Sequence, residues 1–200
     1  MVPPQMRPLG TYLFSTDQVG QTCGKQVRPQ RARESGFTLI ELLIVIAIIA
    51  IITALATAGL LRSKAAANEA SAIQTMRVTS SSQNAYAVAC GRGAFAASYL
   101  VLGTPPPGGG PAFVSTDLGA NVNPLKSGYR FAMGPGAGST AGPVDCNGTA
   151  TITAFYATAT PLSFFSGDRS FATTANGAIW QLKGGTAPTE PFGAPATMIQ

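Results

Sequence analysis

The 200-residue sequence contains no histidine. That removes histidine-based triads, histidine-ligated metals and the commonest general base in one stroke. Charge is also scarce, at 10% of residues, and it is unevenly placed. The first 36 residues hold Arg7, Lys25, Arg28, Arg31 and Arg33 against Asp17 and Glu34, a net +3, and the remainder carries +2. A nucleic-acid surface needs clustered Lys and Arg with interleaved aromatics. The only basic cluster here directly precedes an apolar stretch, so membrane topology explains it better and no specific nucleic-acid partner is expected. There are no paired carboxylates, no nucleophile–base constellation and no dense Asp/Asn loop, so no enzyme activity and no cofactor are expected. Proline is absent from residues 30–104 and then abundant.

What is present begins with an apolar segment. Phe37 to Leu61 is 25 residues long with one charged side chain, Glu41. As a helix it would be about 37 Å long at about 1.5 Å per residue, enough to cross a hydrocarbon core of about 30 Å. The rest of the chain is rich in Gly, Pro, Ala, Ser and Thr. The sequence therefore reads as one membrane helix joined to a small polar domain. Lys25, Arg28, Arg31 and Arg33 before the span, against Arg62 and Lys64 after it, place the N-terminus on the cytoplasmic side.

Ser35-Gly36-Phe37-Thr38-Leu39-Ile40-Glu41, behind the basic stretch of Arg28, Arg31 and Arg33 with Glu34, resembles the processing site of type IV prepilins and type II secretion pseudopilins. The close resemblance covers residues 28–61. It implies a leader over residues 1–36, cut between Gly36 and Phe37 by a membrane aspartyl prepilin peptidase that also methylates the new Phe37 amine. Glu41 would become the fifth residue of the mature chain. In this family that glutamate is thought to meet the N-terminal amine of a neighbouring subunit. Physical reasoning agrees. A glycine without a side chain suits an extended chain in a protease cleft. A carboxylate in an apolar segment costs up to about 2.5–3.5 kcal/mol and calls for a partner. The competing reading is a secretory signal peptide cut at Ala54-Leu55-Ala56 or Ala56-Thr57-Ala58. Its apolar core would normally span about 7–15 residues, and it leaves Gly36 to Glu41 without a role.

Downstream, a single helix is expected from about Thr38 to about Ala89, its part beyond residue 62 being amphipathic, with Ile73, Met76, Ser80, Gln83, Ala87 and Cys90 on one face. Ala58, followed by Gly59, stands where many type IV pilins carry a helix-breaking proline. Cys90-Gly91 supplies the helix stop. Residues 91–128, with Pro105-Pro106-Pro107 and Gly108-Gly109-Gly110, correspond to an αβ-loop. Strand patterns follow at 129–133, 149–160, 170–174 and 178–182, the last two flanking an Asn176-Gly177 hairpin signal. The expected fold is α+β: a long membrane-spanning helix whose C-terminal half packs on an antiparallel sheet of about four strands, spread over residues 129–200. Phe131, Phe155, Phe171 and Trp180 are its candidate core.

Three cysteines occur, at 23, 90 and 146. With Cys23 lost in the leader, Cys90 and Cys146 form an even pair for an oxidising compartment. Their bridge would close a loop of about 57 residues, worth about 4 kcal/mol. Two unrelated buried thiols are the alternative. Asp145 and Asp168 are weak calcium candidates, since calcium asks for about six to eight oxygens and the acidic residues are sparse.

The resemblance implies a structural subunit, inserted in the bacterial inner membrane as a precursor and then moved to a surface filament for adhesion, motility or attachment. The expected partners are membrane lipid, the peptidase, an inner-membrane assembly platform and identical or homologous pilin subunits. A pseudopilin of type II secretion shares every N-terminal feature and remains open. A membrane-anchored periplasmic binding protein is the third reading.

Overall fold

A computed structural model describes residues 36–199. The leader expected over residues 1–36 therefore lies, apart from Gly36, outside the described residues, as do Cys23 and the basic cluster. The chain divides into the units Met1–Leu43 and Ile44–Gln200. Helix α1 (Leu39–Ala89) begins in the first and supplies the second with its long stalk. Its 51 residues contain no proline, and the helix runs through Gly59 without interruption. One glycine in a helix interior costs only about 1 kcal/mol, which the flanking Ala and Leu residues tolerate.

The second unit is α+β, as expected. After α1 come β1 (Phe95–Ala96), α2 (Tyr99–Leu102), α3 (Thr116–Gly119), β2 (Leu125–Lys126), β3 (Tyr129–Pro135), β4 (Thr151–Ile152), β5 (Phe155–Pro161), β6 (Arg169–Thr174), β7 (Ile179–Lys183) and β8 (Thr197–Ile199). The main sheet is antiparallel with six strands, in the order β2-β3-β5-β6-β7-β8, and β1 pairs separately with β4. The sheet is thus wider than the expected four strands. The stretch 149–160 is two strands, because residues 153 and 154 separate β4 from β5 and the two join different sheets. Residues 91–128 are not featureless loop, since they contribute β1, α2, α3 and β2.

The C-terminal half of α1 packs on this sheet. Ala72, Met76 and Tyr86 of the helix join Tyr129, Phe131, Phe155, Ala157, Ala159 and Phe171 in one buried core. The helix face is wider than the expected stripe and largely polar. Thr79 and Gln83 are fully buried, and Glu69, Thr75, Ser80 and Ser82 nearly so. Burying these polar side chains is tolerated because their fully buried polar atoms are matched. The Thr75 and Thr79 hydroxyls donate to the carbonyls one turn back, at 2.9 and 2.8 Å. Gln83 acts as a strand partner: its Nε2 donates to the Ala96 carbonyl and its Oε1 accepts from the Ala96 N–H, both at 2.9 Å. Among the described residues no buried side-chain nitrogen or oxygen lacks a partner.

Trp180 is not part of this core. The β6–β7 hairpin does turn at Asn176-Gly177, but through a longer loop than the dipeptide suggests. Gly177 donates to the Thr174 carbonyl and sits at φ 76°, closing a three-residue loop with glycine in the left-handed region. Asn176 Oδ1 accepts from both the Thr174 hydroxyl and the Ala178 N–H. A two-residue loop would pair Thr173 with Trp180 and place the indole on the face of Phe171. The extra residue pairs Thr173 with Ile179 and Ala172 with Trp180. A one-residue shift exchanges the faces of the sheet. Trp180 therefore lies on the opposite face, stacked at 5.2 Å on Phe192 of the C-terminal segment. Tyr156 shares that face, close to Phe192, with its hydroxyl donating to the Pro188 carbonyl.

Three tyrosines of the core make the fold sensitive to alkali. Burial raises the Tyr99 phenol to about 12 against the opposing pull of its Thr79 hydrogen bond. Burial first, and the carboxylate of Asp145 second, raise Tyr86, while burial and then Glu69 raise Tyr129. Each phenol holds its proton more tightly folded than unfolded. The stability this provides is complete below pH 10.0, the ordinary tyrosine value, and is lost as pH rises through the folded values. Titration followed by ultraviolet difference absorbance should show tyrosinate formation delayed and coincident with loss of the fold. Smooth ionisation centred on pH 10.0, with the fold intact, would contradict this packing.

Candidate functional site

The segment around Gly36 and Phe37 is irregular and enters helix α1 at Leu39. Both residues are exposed. A side chain built on Gly36 would meet nothing within 4 Å, and Gly36 does not occupy the left-handed backbone region. Among the described residues, no packing contact demands glycine there.

Thr38 is the residue before the helix and serves as its cap. Its Oγ1 accepts from the Glu41 N–H at 3.3 Å, and its carbonyl accepts from the Leu42 N–H at 3.2 Å. The Thr38 hydroxyl in turn lies 3.5 Å from Glu41 Oε2, the limit of a hydrogen bond. Thr-x-x-Glu before an apolar run is half of a capping box, with the carboxylate in the first helical turn where the helix dipole favours negative charge. Thr38 was legible from this spacing and had no role in the sequence reading.

Leu39 to Leu61 contains two further polar side chains, Thr53 and Thr57. Thr53 Oγ1 donates to the Ile49 carbonyl at 2.8 Å, and Thr57 Oγ1 to the Ala54 carbonyl at 3.2 Å. Both hydroxyls are satisfied inside their own helix, as lipid requires. Glu41 differs, because its charge has one long contact to a neutral hydroxyl. The apolar side chains around it are exposed, from Leu39 at 81% to Leu55 at 77%. The helix is long and apolar enough to cross a membrane, and its most apolar stretch buries nothing within the chain.

The remaining site residues lie in the head. Cys90 and Cys146 form a disulfide with a sequence separation of 56. It pins the end of α1 beside the Tyr86–Asp145 hydrogen bond, 2.7 Å long. Asp145 also accepts from the Asn147 and Thr149 N–H groups at 2.8 and 2.7 Å, so its oxygens are already engaged. Asp168 lies elsewhere, 3.5 Å from Lys183 Nζ. The structure does not bring the two calcium candidates together, and among the described residues no three His, Cys, Asp or Glu side chains gather as a metal site. The pairing of Glu69 with Arg169 was not foreseen. Arg169 Nε and Nη2 donate to Glu69 Oε2 at 2.9 and 2.6 Å, and Glu69 Oε1 accepts from the Asp168 N–H at 2.8 Å. It ties helix to sheet across 100 residues of sequence, a distance no local pattern reports.

A long apolar helix followed by antiparallel sheets is consistent with a pilin fold. Residues 31–57 match the model of the prokaryotic N-terminal methylation motif, the prepilin-type signal of type IV pilins and pseudopilins. Searches of curated proteins and of solved structures give no match. The motif implies processing by prepilin peptidase and assembly with other pilin subunits, and with the apolar helix it fits an inner-membrane precursor.

Proposed function

We propose that the chain is the precursor of a structural subunit of a type IV pilus-like filament. The leader 1–36 is removed by cleavage between Gly36 and Phe37, and the Phe37 amine is methylated. The 37–61 helix first holds the subunit in the inner membrane and then forms the filament core. The continuation 62–90, the segment 91–128 and the sheet region 129–200 build the head presented at the cell surface. Assembly pairs Glu41 of one subunit with the Phe37 amine of a neighbour. The observation that carries this reading is the state of Glu41, the one polar side chain between Leu39 and Leu61 left without a full partner in its own helix.

The motif is shared with the pseudopilins of type II secretion, which build a short piston inside the envelope. Shearing whole cells separates the two. The filament reading predicts that the protein is released in the sheared fraction and pellets as filaments. Retention of all mature protein in the envelope, at normal expression, would transfer the chain to the pseudopilus.

A further inference from the structure

The loop between β5 and β6, residues 162–168, presents two aromatic side chains to solvent. Phe164 is 78% and Phe165 64% exposed, packed edge to face at 6.1 Å. Large apolar side chains are not left in water in pairs without a reason. The loop that carries them is fixed. Leu162 donates to the Gly128 carbonyl, Ser166 to the Ser163 carbonyl, and Asn68 Nδ2 of α1 to the Ser166 carbonyl at 3.0 Å. The two rings line an open pocket with Leu61, Arg62, Ala65 and Ala66 of the helix.

The position along α1 identifies what the pocket faces. Leu61 is the last residue of the apolar run, and the first cations after it are Arg62 and Lys64, both exposed. Phenylalanine beside basic side chains anchors a surface at the headgroup layer, the ring entering the acyl boundary and the cation meeting lipid phosphate. The two carboxylates at the pocket do not oppose this, since Glu69 is held by Arg169 and Asp168 faces Lys183. We infer that Phe164 and Phe165, with Arg62 and Lys64, seat the head on the leaflet from which the helix emerges, the ligand being an anionic phospholipid surface. The inference rests on the membrane-anchored precursor reading. It adds that the head is docked on the bilayer before assembly, so that extraction must break an aromatic contact as well as withdraw a helix.

The test uses the full chain in vesicles of phosphatidylcholine and phosphatidylglycerol. Trp180, the single tryptophan, is replaced by phenylalanine, and a reporter is introduced as Phe164→Trp or, in a second protein, as Leu55→Trp. Acyl-chain-brominated lipid should quench both reporters about twofold or more, at low and high protein density alike, if the ring sits at the interface. Quenching of the Leu55→Trp reporter alone overturns the inference and leaves the membrane anchor standing. A Phe164→Trp emission shift that grows with protein density, without bromine quenching, assigns the pair to contact with a second copy and overturns it too. If neither reporter is quenched, the anchor fails and the inference with it.

Discussion

Glu41→Ala should leave membrane insertion and cleavage largely intact while cutting filament yield by about tenfold or more, the effect of losing a charge-assisted contact of about 1.5–3 kcal/mol at each subunit junction. In the precursor the carboxylate is the only full charge between Glu34 and Arg62. The proposed cleavage would make the Phe37 amine the nearest counter-charge. Among the described residues of its own chain the carboxylate has one hydrogen-bond contact, at 3.5 Å to the neutral Thr38 hydroxyl, too long to offset its charge. The proposed pairing between subunits would offset the cost of carrying the charge from lipid into a protein core. Glu41→Gln separates this from capping, because it keeps a polar side chain at the capping position and removes only the charge. It should assemble as poorly as Glu41→Ala. Gly36→Glu should behave in the opposite way. Nothing among the described residues opposes a side chain at Gly36, so the precursor should fold and insert, yet accumulate uncut. Immunoblots of membrane and sheared-surface fractions read both effects. Normal filament yield from Glu41→Ala would remove the carboxylate from the assembly mechanism.

The head should lose about 3 kcal/mol or more on Asp145→Ala, a large share of the roughly 5–15 kcal/mol that holds a domain folded. Asp145 is 2% exposed and accepts from the Tyr86 hydroxyl and from two backbone N–H groups. Alanine would remove the acceptor of all three donors at the point where the disulfide fixes the helix end. The buried Tyr86 hydroxyl would be orphaned at a cost of about 1–3 kcal/mol, and the N–H groups of the exposed Asn147 and Thr149 would lose charge-assisted hydrogen bonds. Tyr86→Phe removes one donor and leaves the carboxylate its backbone partners, so its cost should be smaller, about 1–2 kcal/mol. Denaturant unfolding of the detergent-solubilised chain, monitored by circular dichroism, provides the comparison. Equal effects of the two substitutions would show that the backbone contacts of Asp145 contribute nothing.

The long helix was legible because its evidence is repeated over many turns: unbroken apolar sequence, then small residues at helical spacing, with no proline before Pro105. The strands containing Phe131, Phe155 and Phe171 were legible for a similar reason, and all three rings are buried. Elements of two to four residues, such as β1, α2 and β2, are shorter than any periodicity can reveal. They exist because tertiary partners satisfy them, as the Gln83 side chain does for Ala96. Trp180 went to the other face because one loop residue in the hairpin decides the register, and Asn-Gly alone does not fix loop length. At the candidate site, Gly36, Phe37 and Glu41 stand out in sequence because they interrupt a pattern. The contacts of Asp145 and Glu69 do not, since their partners lie 59 and 100 residues away.

The central claim is that the chain is cut after Gly36 and works through the end so created. Mass spectrometry of the mature protein, recovered from sheared material or from the membrane, tests it most directly. The expected result is an N-terminus at Phe37 carrying a methylated amine. A mature chain beginning near Thr57 or Gly59, or one that retains residues 1–36, would contradict it.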